Sequence, residues 1–200
     1  MKVNLGKHFE VEYRGNKKIF RKDGRIFYEY TLPFIRETCS FIILFSRNFD
    51  MEKIKGIVNS IEKLQMDFDT DIIFVVGSNS DELALSGAFK EKFYKCVVSE
   101  KVDAPIFSSF KSGLRHVFSN SIGAVLILGS RALPEEETLR KIIESLKTGA
   151  TIVVPVKDGK RTHPVAFNRN FFDKLLSIRK EKGIPYILKN YESLIEYVEI

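Results

Sequence analysis

The chain has 200 residues, of which 44% are hydrophobic and 29% are charged, and its formal net charge is +6. This length and composition exclude a disordered chain and are typical of one or two globular domains with a buried core. Two cysteines are too few for a disulfide-rich secreted scaffold, and the longest apolar runs are far shorter than the ~20 residues that span a bilayer. The first six residues carry no apolar signal region, so we expect a soluble, cytoplasmic protein with no membrane partner.

The positive charge is concentrated in two parts of the chain. Residues 1–30 contain eight basic and four acidic side chains, and residues 151–190 contain nine basic and three acidic ones. If these two segments meet in the fold, they form a basic surface suited to phosphate-bearing ligands. Solvated lysines on an ordinary surface are the alternative explanation.

The first 30 residues predict an antiparallel hairpin. Residues 9–13 alternate between apolar and polar side chains, and residues 14–16 are suited to a turn that leads into a second strand at 17–20. This segment is atypical of the chain, but it is too apolar for a solvated tail. We therefore expect one domain over residues 1–200, with residues 1–30 folded against the rest.

From residue 40 onward, short apolar runs alternate with segments of helical periodicity. Strands separated by helices of this length predict parallel βαβ units, and hence a three-layer α/β/α sandwich with a mostly parallel sheet. The predicted strands lie at 41–45, 71–76, 95–98, 124–128, 151–155 and 164–167. The predicted helices lie at 51–66, at about 81–89, at 108–118, from 134 onward, at 171–178 and at 184–189.

Two loops that follow predicted strands are candidate binding sites, because ligands of such sheets bind beyond the carboxyl ends of the strands. Gly77 begins a loop that opens a helix, where backbone amides suit a phosphate, although a plain helix cap is the better interpretation. The segment Gly129-Ser130-Arg131 follows another apolar strand, and a site and a simple turn remain equally open there.

A basic loop precedes the last predicted strand of the sheet. It contains Lys160, Arg161 and His163, and Pro164 restricts the backbone beside the histidine. Such a loop is suited to an anionic substrate, while an ordinary hairpin with exposed charges is the alternative.

Two blocks of the sequence resemble the MobA-like NTP transferases, the molybdenum cofactor cytidylyl- and guanylyltransferases. Residues 129–140 read Gly-Ser-Arg-Ala-Leu-Pro-Glu-Glu-Glu-Thr-Leu-Arg, where that family has Gly-Asp-x-Pro-Leu followed by Glu-Thr-Leu. Residues 154–176 contain the His-Pro element and the strand and helix that follow it in the family. Residues 23–25 resemble the Asp-Gly-Lys turn that precedes the family's first helix.

The resemblance implies a nucleotide-diphospho-sugar transferase fold. It also implies transfer of CMP or GMP from a nucleoside triphosphate to molybdopterin, with Mg²⁺ as cofactor. It matches Lys17 to the family's nucleotide-binding lysine. We also expect Arg14, by its charge, and Gly77, by its place at a strand end, to bind phosphate. The resemblance assigns the metal position to Ser130 and a catalytic role to His163. It assigns substrate binding to Ser109, Lys160, Arg161 and Pro164.

The sequence departs from the family at two features that bind phosphate and metal. The paired glycines of the nucleotide loop are absent from residues 5–12, and Ser130 replaces the metal-binding aspartate. Because Mg²⁺ prefers carboxylates and phosphates, we expect its binding to be weak without a phosphate ligand. Two hypotheses therefore remain, an active nucleotidyltransferase and an inactive homologue that binds a nucleotide, a pterin or a partner protein. Nucleic-acid binding is not favoured, because no recognisable motif for it is present.

Overall fold

The structure is a computed structural model that describes residues 2–6, 9–14, 17–23, 25–31, 38–45, 50–66, 68–77, 79–89, 94–98, 105–179 and 182–200. The chain divides into two compact units, Met1–Arg36 and Glu37–Ile200. That residues 1–200 form a single domain, with residues 1–30 against the rest, stays a prediction. In the described part of the chain, no helix combines the length and the hydropathy that a bilayer span requires.

The smaller unit is a four-stranded antiparallel sheet in chain order. Its strands are β1 (Lys2–Gly6), β2 (Phe9–Arg14), β3 (Lys17–Lys22) and β4 (Arg25–Thr31). The predicted hairpin is confirmed, since β2 and β3 pair in a register that sets Arg14 opposite Lys17. The expectation that residues 23–25 precede the first helix is wrong. Asp23 follows β3 with a positive φ of 51°, and Arg25 begins β4, which pairs antiparallel with β3.

The described residues of the larger unit form eight strands and six α-helices. The strands are β5 (Thr38–Leu44), β6 (Asp69–Val76), β7 (Lys95–Val98), β8 (Ser121–Leu128), β9 (Ile152–Lys157), β10 (Lys160–Arg161), β11 (Val165–Asn168) and β12 (Ile195–Glu199). The helices are α1 (Met51–Glu62), α2 (Asn79–Ala88), α3 (Ile106–Leu114), α4 (Glu136–Lys147), α5 (Phe172–Ser177) and α6 (Gly183–Asn190).

The sheet of the larger unit is mixed but mostly parallel, with the order β10-β9-β11-β8-β5-β6-β7. Strands β5, β6, β7 and β8 pair in parallel, and β12 pairs in parallel with β9. Strand β11 runs antiparallel to both of its neighbours, β8 and β9. The predicted three-layer α/β/α fold class is confirmed, with β11 inserted as an antiparallel strand beside the parallel set.

Two apolar cores separate the sheet from its helices. Because successive side chains of a strand point to opposite faces, Phe41 and Ile43 of β5 lie in one core and Ile42 and Leu44 lie in the other. Helices α1, α2 and α4 cover the first face, and α3, α5 and α6 cover the second. The strand ends that carry the candidate site are therefore held between two packed helix layers.

A buried polar cluster joins the strands at their amino ends, opposite the candidate site. The Ser40 hydroxyl donates to Asp71 at 2.9 Å, and the Lys95 ammonium donates to the same carboxylate oxygen at 3.1 Å. The Ser40 hydroxyl also lies 3.1 Å from that of Ser121, which donates to the carbonyl of Gly123 at 2.7 Å. These bonds satisfy polar groups of β5, β6, β7 and β8 where the four strands begin.

Two helical glycines form a matched pair for testing the packing of α3 on the sheet. A Cβ added at Gly113 would lie 2.6 Å from Ile42 Cγ2 and 2.9 Å from Val75 Cγ2, whereas nothing lies within 4 Å of one added at Gly87. We expect Gly113→Ala to lower the free energy of unfolding by about 1–3 kcal/mol through overpacking. Gly87→Ala should raise it by up to about 1 kcal/mol through helix propensity. Urea denaturation measures both, and equal effects of the two variants would contradict the close approach of α3 to the sheet.

Candidate functional site

The carboxyl ends of the central strands form one edge at which three predicted loop residues lie. Gly77 follows β6, and Gly129 and Ser130 follow β8. The Gly129 amide donates to the carbonyl of Leu44, the last residue of β5, at 2.9 Å. A Cβ at Gly129 would lie 3.2 Å from that carbonyl oxygen, so the absence of a side chain permits the close approach of the two strand ends.

A cavity of about 560 Å³ opens beside the end of β8, on the face of the sheet covered by α3 and α6. Its floor consists of side chains of β8 and β11, and its sides are the first turns of α3 and α6. Most of these walls are apolar. The lining residues are Pro105, Ile106, Phe107, Leu126, Leu128, Arg131, Arg161, His163, Val165, Gly183, Ile184, Pro185, Leu188 and Lys189.

His163 joins the basic loop to the end of β8. The backbone amide of Leu128 donates a 2.7 Å hydrogen bond to Nε2 of the imidazole. Burial, together with the positive charge of Arg131, lowers the pKa of His163 from 6.5 to about 4. The ring is therefore neutral at physiological pH, and its Nε2 lone pair is occupied by the protein.

The polar groups of the cavity are cationic. Arg131, Arg161 and Lys189 line it together with His163, and none of the described lining residues is Asp or Glu. The Arg161 guanidinium lies 5.2 Å from the ring centre of Tyr197, donates to its hydroxyl, and pairs with Glu192 at 2.5 Å. Arg131 forms no ion pair with any residue that the structure describes. The cavity therefore offers apolar walls and positive charge, a combination suited to an anionic ligand with an apolar body.

The described residues do not form a site that fits the implied Mg²⁺. Ser130 is exposed at the end of β8 and offers a neutral hydroxyl, whereas Mg²⁺ is usually held through carboxylates. Among these residues, no three His, Cys, Asp or Glu side chains lie together in a way that could hold a metal ion.

The structure separates the two basic residues that we expected to face the site together. Both side chains are exposed, but only that of Arg161 lines the cavity. Neighbouring residues of a strand point to opposite faces, which explains the difference. Pro164 is buried after a cis peptide bond from His163, and Ser109 is half-buried in the first turn of α3 behind the lining residues.

The predicted phosphate-binding residues Arg14 and Lys17 belong to the smaller unit, where they lie opposite each other in the β2–β3 hairpin. Lys17 was matched to the family by counting back from residues 23–25. That register does not hold, because the first strand-to-helix connection of the larger sheet follows β5 and leads to α1 at Met51. The phosphate-binding roles of Arg14, Lys17 and Gly77 stay predictions.

Sequence reasoning did not single out several residues of the cavity. Ile184, Leu188 and Lys189 showed only the periodicity of a surface helix. The packing of α6 over the end of the sheet depends on tertiary contacts that this periodicity does not specify.

The lowered pKa of His163 predicts a pH dependence of stability. Between pH 6.5 and about 4 the unfolded chain binds a proton at this residue and the folded chain does not, so stability falls as the pH drops through this window. The loss is at most about 3 kcal/mol. We expect wild type to lose free energy of unfolding relative to His163→Gln as the pH falls from 7 to 4, because glutamine has no proton to bind in this range. A difference that stays constant over this range, measured by urea denaturation, would show that the ring is not held in its neutral form.

The fold resembles several solved structures at low sequence identity. The protein Rv0371c of Mycobacterium tuberculosis, in complex with manganese, is 19% identical with a TM-score of 0.65, and the match covers 82% of this chain and 89% of that one. The 4-diphosphocytidyl-2C-methyl-D-erythritol synthase of Anaerococcus prevotii is 15% identical with a TM-score of 0.63, over the same shares of the two chains.

Glucosyl-3-phosphoglycerate synthase of M. tuberculosis, in complex with Mn²⁺, UDP and glucosyl-3-phosphoglycerate, is 14% identical with a TM-score of 0.56. That match covers 82% of this chain and 70% of the other. At these identities the likeness shows the fold, which is that of the nucleotide-diphospho-sugar transferases.

No curated protein sequence matches the chain. The profile of the MobA-like NTP transferase domain matches residues 14–194, which is most of the sequence. This chain therefore belongs to the MobA-like NTP transferase family.

Proposed function

We propose that this protein binds a phosphate-bearing ligand with a flat ring system, of the molybdopterin class, in the cavity beside β8. The observation that carries this proposal is the cavity itself, where cationic side chains surround apolar walls and no described carboxylate lines the space. We assign this binding to the cytoplasm. The domain then acts as a diverged member of its family in which Ser130 stands at the position of the metal-binding aspartate.

The charges around the cavity support an anionic ligand. Arg131 is exposed and has no ionic partner among the described residues, so a phosphate pairs with it without displacing a carboxylate. Guanidinium groups also bind phosphate oxygens in a bidentate geometry. Lys189 adds a second charge from α6, whereas Arg161 is already engaged by Glu192.

The amino ends of two helices at the cavity also favour an anionic ligand. The first turns of α3 and α6 both line it, and neither helix has a side chain that caps its first amides. The amino end of a helix carries a partial positive charge and leaves amide hydrogens without partners in the helix. These two ends add to the attraction that the arginine and lysine side chains provide.

The apolar walls and the volume of the cavity are suited to a ligand with a ring system of moderate size. Phe107, Leu128 and Ile184 offer apolar surface on three sides, and about 560 Å³ is within the range of small-molecule sites. Burial of a flat ring against such walls is favourable at roughly 25 cal/mol per Å² of apolar surface.

A second candidate function is transfer of CMP or GMP from CTP or GTP to the phosphate of molybdopterin, with release of pyrophosphate. Membership of the family over residues 14–194 favours it. The nucleotide then lies toward the ends of β5 and β6, near Gly77, and the acceptor lies in the cavity. Ser130 argues against efficient transfer, because it supplies no carboxylate for the metal that accompanies a nucleoside triphosphate.

A pair of charge-removing variants tests ligand binding in the cavity. We expect Arg131→Ala to weaken the binding of 6-hydroxymethylpterin phosphate about fivefold to tenfold and to flatten its salt dependence. Lys160→Ala removes the same charge from an exposed residue outside the cavity lining and should leave the affinity unchanged. Isothermal titration at two salt concentrations measures both effects. Equal losses in the two variants would indicate general attraction to a basic surface, and absence of binding by wild type would refute the proposal.

Substitutions of Ser130 test the second candidate. Ser130→Asp supplies the missing carboxylate, so it should tighten binding of Mg²⁺-CTP or Mg²⁺-GTP and raise pyrophosphate release in the presence of molybdopterin. Ser130→Asn has a similar size without the charge and serves as the control. If the two variants behave alike, Ser130 does not occupy the metal position. Rapid pyrophosphate release by wild type would instead establish that the serine is compatible with transfer.

A further inference from the structure

The imidazole of His163 has one nitrogen occupied by the protein and one that is not. A backbone amide can only donate, so the 2.7 Å contact from Leu128 requires an unprotonated Nε2. A neutral imidazole carries its single proton on the other nitrogen. The fold therefore selects the tautomer in which Nδ1 bears the hydrogen.

The Nδ1 hydrogen faces no hydrogen-bond partner among the described residues. In the same part of the chain, no fully buried side-chain nitrogen or oxygen lacks a partner. Nδ1 therefore keeps contact with open space, and the ring that carries it lines the cavity. The polar groups that surround this ring in the cavity are Arg131, Arg161 and Lys189, which are all donors.

We propose that His163 is a specificity residue of this cavity, in which Nδ1–H donates a hydrogen bond to a ring nitrogen or carbonyl oxygen of the bound ligand. This inference rests on the proposed function and adds to it, because it names a residue that recognises the ring of the ligand as well as those that recognise its phosphate. The arginine and lysine groups recognise negative charge, whereas a neutral N–H recognises an uncharged acceptor. Ligands that present both features are then separated from other organic phosphates.

The cavity selects among ligands because a ligand without an acceptor leaves the Nδ1–H of His163 unpaired. A ligand whose ring has no acceptor displaces water from Nδ1–H and forms no hydrogen bond in its place. This loss weakens binding of that ligand more than the loss of one apolar contact would. The bond between Leu128 and Nε2 prevents the ring from turning to avoid this cost, since rotation would leave the Leu128 amide without its acceptor. The histidine is thus oriented before the ligand arrives.

Two probes of similar size distinguish recognition of the ring from recognition of the phosphate. 6-Hydroxymethylpterin phosphate has ring nitrogens and a carbonyl oxygen, while 1-naphthylmethyl phosphate has a two-ring body without any acceptor. We expect the wild-type protein to bind the pterin probe about tenfold more tightly, as measured by isothermal titration. The ¹⁵N spectrum of the free protein should show His163 with its proton on Nδ1.

Two substitutions separate the structural contact of the ring from its contact with the ligand. His163→Gln places an acceptor near the position of Nε2, so it should keep the Leu128 contact and the stability but lose the preference for the pterin probe. His163→Asn places an amide near the position of Nδ1, so it should lose stability but keep much of the preference. If the role of His163 were purely structural, the preference for the pterin probe would follow stability. His163→Gln would then keep that preference and His163→Asn would lose it.

The outcomes distinguish this inference from the proposed function. If neither probe binds the wild-type protein, the proposed function and the inference both fail. If both probes bind wild type with equal affinity, or if His163→Gln keeps the full preference, the cavity binds phosphates and only the inference is overturned. A ¹⁵N spectrum with the proton on Nε2 would also overturn it.

Discussion

The hydrogen bond from the Leu128 amide to His163 Nε2 is the contact on which the geometry of the candidate site depends. Strands β8 and β11 pair in a register that sets Val165 opposite Leu126, and the same register continued would set His163 opposite Leu128. Pro164 lies between His163 and Val165, and it has no N–H to continue the ladder of hydrogen bonds. The side chain of His163 therefore satisfies the last amide of β8 where the backbone does not, and the strand end and the basic loop are held together.

This contact explains why the cavity has both apolar and cationic walls. Leu128 and Val165 continue the apolar face of the sheet up to its edge, and α3 and α6 extend beyond that edge without filling the space. Arg131 follows β8 by three residues and Arg161 precedes His163 by two, so both charges are carried by segments that the hydrogen bond fixes. The opposite edge is different, since the polar groups of Asp71, Ser40 and Lys95 satisfy one another there.

The sequence was sufficient to predict the parallel part of the fold. Runs such as residues 41–45 and 124–128 predicted strands buried on both faces, and the structure has β5 and β8 there. The helix predicted from residue 51 begins at Met51, where the Asp50 side chain accepts hydrogen bonds from the first amides of α1. Strand β12 was not predicted, because Ile195–Glu199 alternates with glutamates and its pairing with β9 depends on contacts distant in sequence. Strands β1 and β4, which flank the predicted hairpin on either side, were also not predicted.

The candidate site was predictable only in part, because some of its residues are brought together by contacts that are distant in sequence. His163 and Arg161 could be singled out because Pro164 and the neighbouring charges mark a local motif. The separation of Lys160 from Arg161 follows from strand alternation once β10 is known, but two residues are too few to predict that strand. The contribution of α6 depends entirely on tertiary packing, so no local pattern pointed to Lys189.

An amide chemical-shift map of the ¹⁵N-labelled full-length protein, titrated with 6-hydroxymethylpterin phosphate, tests the central claim most directly. If the cavity beside β8 is the binding site, the amides of Leu128, Arg131, His163 and Ile184 shift together and saturate with one affinity. Saturable shifts confined to Phe45 and Gly77, or to residues of the smaller unit, would contradict the account and assign binding to another surface of the protein.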